Sequence, residues 1–111
     1  MTGDEVINIT GQDNGKEIEA QAGDVIQIGL ESLGSAGYQW FIEDLDASFL
    51  KLVEEETEPN AGGEKIGAPV MHIWRFKALK KGSTDIRMSY YRVWEGKEKA
   101  SEYFHIKLTI N

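Results

Sequence analysis

The chain has 111 residues, 41% of them hydrophobic and 28% charged, which suits one soluble globular domain with a single core and excludes a disordered or fibrous reading. The 19 Asp and Glu outweigh the 12 Lys and Arg, and the resulting net charge of -7 repels a phosphate backbone, arguing against nucleic acid as a partner. The absence of cysteine excludes a disulfide framework, a thiolate metal site and a cysteine nucleophile, and no apolar run nears the roughly 18 residues of a membrane span.

Residues Met1 to Glu5 lack the basic flank and apolar stretch of a signal peptide, which leaves the compartment open between the cytoplasm and export after removal of a leader. Alternation of period two recurs along the chain while helical spacing is nowhere sustained, so strands are expected almost throughout. Asp4 to Thr10 points Ile7 and Ile9 one way, Gly11 to Gly15 supplies turn residues, and Lys16 to Gln21 returns with Ile18 and Ala20 inward, predicting a hairpin. Val25 to Leu30 alternates Ile26, Ile28 and Leu30 against Gln27 and Gly29. After the Gly34 to Gly37 loop, Tyr38, Trp40 and Ile42 share one face of a third strand. Asp44 to Ser48 reads as a turn, and a strand follows around Phe49 to Glu55.

Glu54 to Gly67, with its charge run and Pro59, is the most loop-like stretch. Beyond it, Met71 to Leu79 keeps Trp74, Phe76 and Ala78 in phase, Lys80 to Ser83 turns, and Thr84 to Tyr91 keeps Ile86, Met88 and Tyr90 in phase, predicting a second hairpin. The last strand, Glu102 to Ile110, turns Phe104, Ile106, Leu108 and Ile110 inward. Seven or eight short strands separated by polar turns predict an all-β, immunoglobulin-like antiparallel β-sandwich spanning 1–111 as a single domain, with a small closed barrel as the competing arrangement.

Signals for catalysis are weak. The two histidines, His72 and His105, have no second ligand at the spacing of a metal site. His105 falls on the solvent face of its strand, and His72 lies near a loop where a partner could touch it. In Leu33-Gly34-Ser35-Ala36-Gly37 a leucine occupies the first glycine position of a nucleophile elbow, and no helix follows. The run Glu54-Glu55-Glu56 reads as a solvated edge, while a pair of strand-borne carboxylates stays open as an enzyme reading. Asn8-Ile9-Thr10 matches a glycosylation acceptor inside a strand and is taken as chance. By elimination the chain reads as a binding module without cofactor or metal rather than an enzyme.

Three segments sharpen this reading. They are Ser32 to Trp40; Gly67-Ala68-Pro69-Val70 leading through Trp74 to Phe76-Lys77-Ala78-Leu79-Lys80-Lys81-Gly82; and Tyr90-Tyr91-Arg92-Val93-Trp94-Glu95. Together they resemble the chagasin family of inhibitors of papain-like cysteine proteases, which shows NPTTGYxW, a glycine-rich loop before Phe-x-Ala-Leu-x-x-Gly, and YxRPWE in this order. The resemblance runs from about Asp24 to the C-terminus. It departs where Leu33, Gly34, Ser35 and Ala36 replace Asn, Pro, Thr and Thr, where Val70 replaces a glycine, and where Val93 replaces a proline. Loss of the prolines raises the ordering entropy that a loop loses on binding.

The resemblance implies a reversible, tight-binding competitive inhibitor of papain-like cysteine proteases such as papain and cathepsin L-like enzymes, acting as a monomer. Three loops at one end of the sandwich would enter the protease cleft: Leu33 to Gly37, about Asn60 to Met71, and Arg92 to Lys97. The residues it assigns to the protease are Leu33, Gly34, Ser35, Ala36 and Gly37; Gly67, Ala68, Pro69, Val70 and Met71; and Arg92, Val93, Trp94 and Glu95. Trp94 would be the anchor, since interface energy concentrates in such aromatics. Its phase with Tyr90 and Arg92 leaves a core position open as the alternative, whereas Tyr38 and Trp40 are expected in the core. Arg92 is expected to brace its own loop, and Gly37 to answer a backbone requirement. The competing function is a non-enzymatic immunoglobulin-like adhesion or carbohydrate-binding domain.

Overall fold

A computed structural model describes residues 3–32, 37–59 and 70–111. These form eight strands: β1 (Val6–Thr10), β2 (Glu17–Ala20), β3 (Val25–Ser32), β4 (Tyr38–Glu43), β5 (Leu50–Pro59), β6 (Val70–Ala78), β7 (Gly82–Arg92) and β8 (Glu102–Ile110). They assemble into two four-stranded sheets, ordered β1-β3-β6-β5 and β2-β8-β7-β4. The expected alternation decides which faces meet. Ile26, Ile28, Trp74 and Phe76 from one sheet join Ile86, Met88, Ile106 and Leu108 from the other in one core, all sealed from solvent. Each such side chain contributes about 1.5–3 kcal/mol by leaving water.

Neither hairpin expected from the sequence forms. β1 runs parallel to β3 in the first sheet, and β2 runs parallel to β8 in the second. Between them, Thr10 caps a 3-10 turn over Gly11–Asp13, accepting from Gln12 N at 3.3 Å while its own N–H donates to Asp13 Oδ2 at 2.9 Å. That capped turn carries the chain across the sandwich instead of back along it. Likewise β6 pairs with β3 and β5, whereas β7 pairs with β4 and β8. Alternation determines which face a strand buries; it does not distinguish a neighbour in the same sheet from one facing it across the core. The sandwich is therefore antiparallel in its inner pairs and mixed at the edges, where β1 and β2 are the parallel strands.

The acidic stretch read as loop is strand as far as Pro59. A register shift between Leu52 and Glu54 leaves Val53 as a bulge in the β5–β6 pairing. One extra residue reverses the phase: Leu50 and Leu52 pack on or in the core, and Glu54 and Glu56 turn to the outer face. There Arg75 Nη1 bridges Glu54 Oε1 at 2.5 Å and Glu56 Oε2 at 2.9 Å. Arg75 Nε donates to Gln27 Oε1 at 2.8 Å, and Gln27 Nε2 donates to Asn8 Oδ1 at 2.9 Å, so a polar ladder crosses all four strands of the sheet. Glu54 and Glu56 need not be apolar because that face meets water, while Glu55, opposite Trp74, takes the other face.

Strand register brings the loop stems to one end. Val70 stands opposite both Ser32 and Pro59, Tyr38 opposite Arg92, and Tyr90 opposite Glu102. The close of β3 and start of β4 are tied across the sheets by Trp40 Nε1, which donates to the Glu31 carbonyl at 3.0 Å.

Candidate functional site

The floor of this end is aromatic. Tyr38 stacks on Tyr90 with centroids 5.3 Å apart, and Trp40 lies 4.9 Å from Tyr90 on the same side of β4. Both are half-buried and Tyr90 is buried, in keeping with their inward phase. Above them the Arg92 guanidinium lies 4.6 Å from the Tyr38 ring centroid, and Arg92 Nη2 donates to the Tyr38 hydroxyl at 3.3 Å. A cation over a ring face is held by the ring quadrupole, more firmly with one side closed to water.

β7 ends at Arg92, and the chain turns at once. The N–H groups of Glu95 and Gly96 both donate to the Arg92 carbonyl, at 2.9 and 3.2 Å. Arg92 Nε lies 3.5 Å from Glu95 Oε1, an ion pair without hydrogen-bond alignment. A 3-10 turn, Lys97–Lys99, follows, and Lys97 Nζ reaches Glu43 Oε2 on β4 at 3.1 Å. That hydrogen bond raises the Lys97 pKa above its ordinary value. Ser101 N then donates to the Tyr90 carbonyl at 2.9 Å, closing the loop onto its own stem. Arg92 thus meets Glu95 of its own loop as an ion pair, while its side-chain hydrogen bond goes to Tyr38 on β4 rather than to the loop expected from the sequence. Lys97 and Glu43 form a further strap that the sequence did not reveal, since only the β4–β7 pairing makes them neighbours.

This turn ends the alternation, so Trp94 does not continue the inward face. It is 68% exposed, which overturns the core alternative, and Val93 beside it is exposed too. Gly37 has φ +83, the left-handed region that glycine enters without penalty, which meets the expected backbone requirement. The Trp94 ring also lies against it.

Gly37, Arg92, Val93, Trp94 and Glu95 therefore gather at the tip of the second sheet. Val70 and Met71 stand at the same end on the first sheet, half-buried, opposite Ser32 and Glu31. Leu33, Gly34, Ser35 and Ala36, and Gly67, Ala68 and Pro69, lie outside the described residues.

Neither histidine enters this arrangement. His72 Nε2 contacts Glu55 Oε1 at 2.8 Å and its ring stacks on Trp74 at 3.9 Å, so it is engaged within the fold. His105 Nε2 contacts Asp85 Oδ1 at 2.8 Å, and this hydrogen bond holds the Asp85 carboxyl below its usual range. Among the described residues no three His, Cys, Asp or Glu side chains gather as a metal site.

Comparison with known proteins places this geometry. The sequence profile of the chagasin family of peptidase inhibitors, I42, matches residues 19–108. Amoebiasin-2 of Entamoeba histolytica is 34% identical over 92 residues, covering 81% of this chain and 74% of that protein. The crystal structure of the cysteine protease inhibitor EhICP2 from Entamoeba histolytica superposes with a TM-score of 0.86 at 25% identity, covering 96% of each chain. The solution structure of amebosin superposes at 0.75 with 20% identity, covering 98% of this chain and 100% of that one. PbICP-C, in its complex with falcipain-2, superposes at 0.63 with 18% identity, covering 99% and 92%. The last two share the fold. None of these similarities supports an adhesion or carbohydrate-binding role.

Proposed function

This chain belongs to the chagasin family of peptidase inhibitors and is a cysteine protease inhibitor rather than an enzyme; we propose that it blocks papain-like proteases by inserting three loops from one end of its sandwich into the active-site cleft. The loop from Leu33 to Gly37 covers the catalytic cysteine of the protease. The segment from about Asn60 to Met71 runs along the non-primed side, and Arg92 to Lys97 sets Trp94 on an aromatic shelf on the primed side. No bond is made or broken by the inhibitor, so inhibition is reversible and competitive.

The observation that carries this reading is an exposed Trp94 on a loop strapped at both its stem and its turn. Water leaves a large apolar ring at such a site when a partner covers it, whereas a single unstrapped aromatic would lose that gain to ordering. The straps also offset the stiffness lost where Val93 stands in place of proline. Glycine and other small residues in the first loop let backbone approach a narrow cleft where bulky side chains would collide.

The test is a titration of papain or a cathepsin L-like protease with the inhibitor, following hydrolysis of a fluorogenic peptide. Saturable competitive inhibition at nanomolar to micromolar concentration is the expected result. Full protease activity at high micromolar concentrations of folded protein would overturn the reading.

A further inference from the structure

We propose that Gly37 is a positioning residue for Trp94: its bare Cα is the seat against which the indole rests, so the stem of the first loop aims the anchor of the third. This rests on the inhibitory reading above and adds how the anchor is held. Trp94 is 68% exposed, and the core does not enclose it. An exposed indole samples several rotamers unless a neighbour restricts it, and every rotamer lost on binding weakens the complex. The neighbour here is Gly37. A Cβ built on it would overlap Trp94 Cη2 and stand 2.9 and 3.0 Å from Cζ3 and Cζ2, so the far edge of the six-membered ring lies on the glycine.

Register explains the contact. Tyr38 pairs with Arg92, so Gly37 and the residues just after Arg92 leave the same rung of the β4–β7 ladder. Arg92 over Tyr38 keeps that rung closed. The backbone of Gly37, at φ +83, makes one demand and the ring makes another. Asparagine tolerates a positive φ better than most residues but carries a Cβ, so it separates the two demands.

The experiment compares Gly37→Asn in the parent and in Trp94→Ala, with inhibition of papain as one readout and ¹⁵N relaxation of the Trp94 indole N–H in the free protein as the other. Expected are a restricted indole in the parent, a mobile one in Gly37→Asn, and a loss of inhibition of about tenfold or more in the parent background. In the Trp94→Ala background the same substitution should cost less than in the parent, because the ring it displaces is gone while any collision of the new side chain with the cleft remains in both. Equal losses in both backgrounds, or an indole as mobile in the parent as in the variant, would overturn the proposal. The Trp40 indole, bonded to the Glu31 carbonyl, reports whether the stem stays folded. If Gly37→Asn unfolds, the parent's own Trp94 relaxation decides: a freely mobile ring ends the proposal. A parent that leaves papain active would refute the inhibitory reading alone, since the relaxation measurement needs no protease.

Discussion

Arg92 and Tyr38 stand directly opposite each other on β7 and β4, with the guanidinium 4.6 Å from the ring centroid and Nη2 3.3 Å from the hydroxyl. The pair closes the last rung of the second sheet before the chain turns outward to Trp94. A stacked guanidinium and a hydrogen-bonding fork act together here, and a lysine ammonium supplies neither in the same geometry. Arg92→Lys should therefore lower stability by about 0.5–2 kcal/mol, the range of a partly desolvated cation over a ring. Urea unfolding with an unchanged m-value checks this; an unchanged midpoint would show that the stacking contributes nothing.

Trp94→Ala should weaken inhibition by about tenfold or more, roughly 1.4 kcal/mol. The ring is 68% exposed, so the thermal midpoint should scarcely move. A variant that loses its fold would place Trp94 among the structural residues.

The outer half of β5 depends on Arg75. Its hydrogen bond to Glu56 is the main reason that this carboxyl titrates below its ordinary value. A carboxyl with a depressed folded pKa contributes stability above the unfolded pKa, about 4.3 for Glu, and loses it as pH falls through the folded value. In Arg75→Gln the amides of Glu54 to Glu58 should exchange hydrogen faster than in the parent at pH 7. The two proteins should converge at a pH well below 4. Equal exchange at pH 7 would show that the ladder does not hold the strand.

Deletion of Val53 should leave the protein folded. It makes Glu54 the direct neighbour of Leu52, so Glu54 keeps its place opposite Arg75 on the outer face without a bulge, while Leu50 and Leu52 keep the core phase. Circular dichroism checks the fold, and a deletion variant that fails to fold would show that the bulge itself, beyond the phase it restores, holds β5.

Much of the sandwich is legible along single strands. Ile26, Ile28 and Leu30, or Phe104, Ile106, Leu108 and Ile110, alternate with polar neighbours, and each lies buried as its phase requires. The aromatic and glycine residues of the loop stems are equally visible, because Gly37-Tyr38-x-Trp40 and Tyr90-x-Arg92-x-Trp94-Glu95 are local patterns. Strand partners are not. The turn after Thr10 looks like a hairpin in composition, yet its cap sends β2 to the other sheet, and Lys80-Lys81 does the same between β6 and β7.

The sequence by itself determined the class: an all-β domain whose inward faces follow from side-chain alternation and whose loop-stem motifs resemble those of the chagasin family, a resemblance that implies a protease inhibitor. Tertiary structure decided the parallel edges, the bulge that turns Glu54 outward, the Lys97–Glu43 strap and the contact of Trp94 with Gly37. The physical reason is range. Periodicity, turn chemistry and caps act between residues a few positions apart, and each leaves several pairings equally satisfied. Those pairings are selected only when distant strands bury their faces together, and neighbours such as Gly37 and Trp94 exist only after that choice has been made.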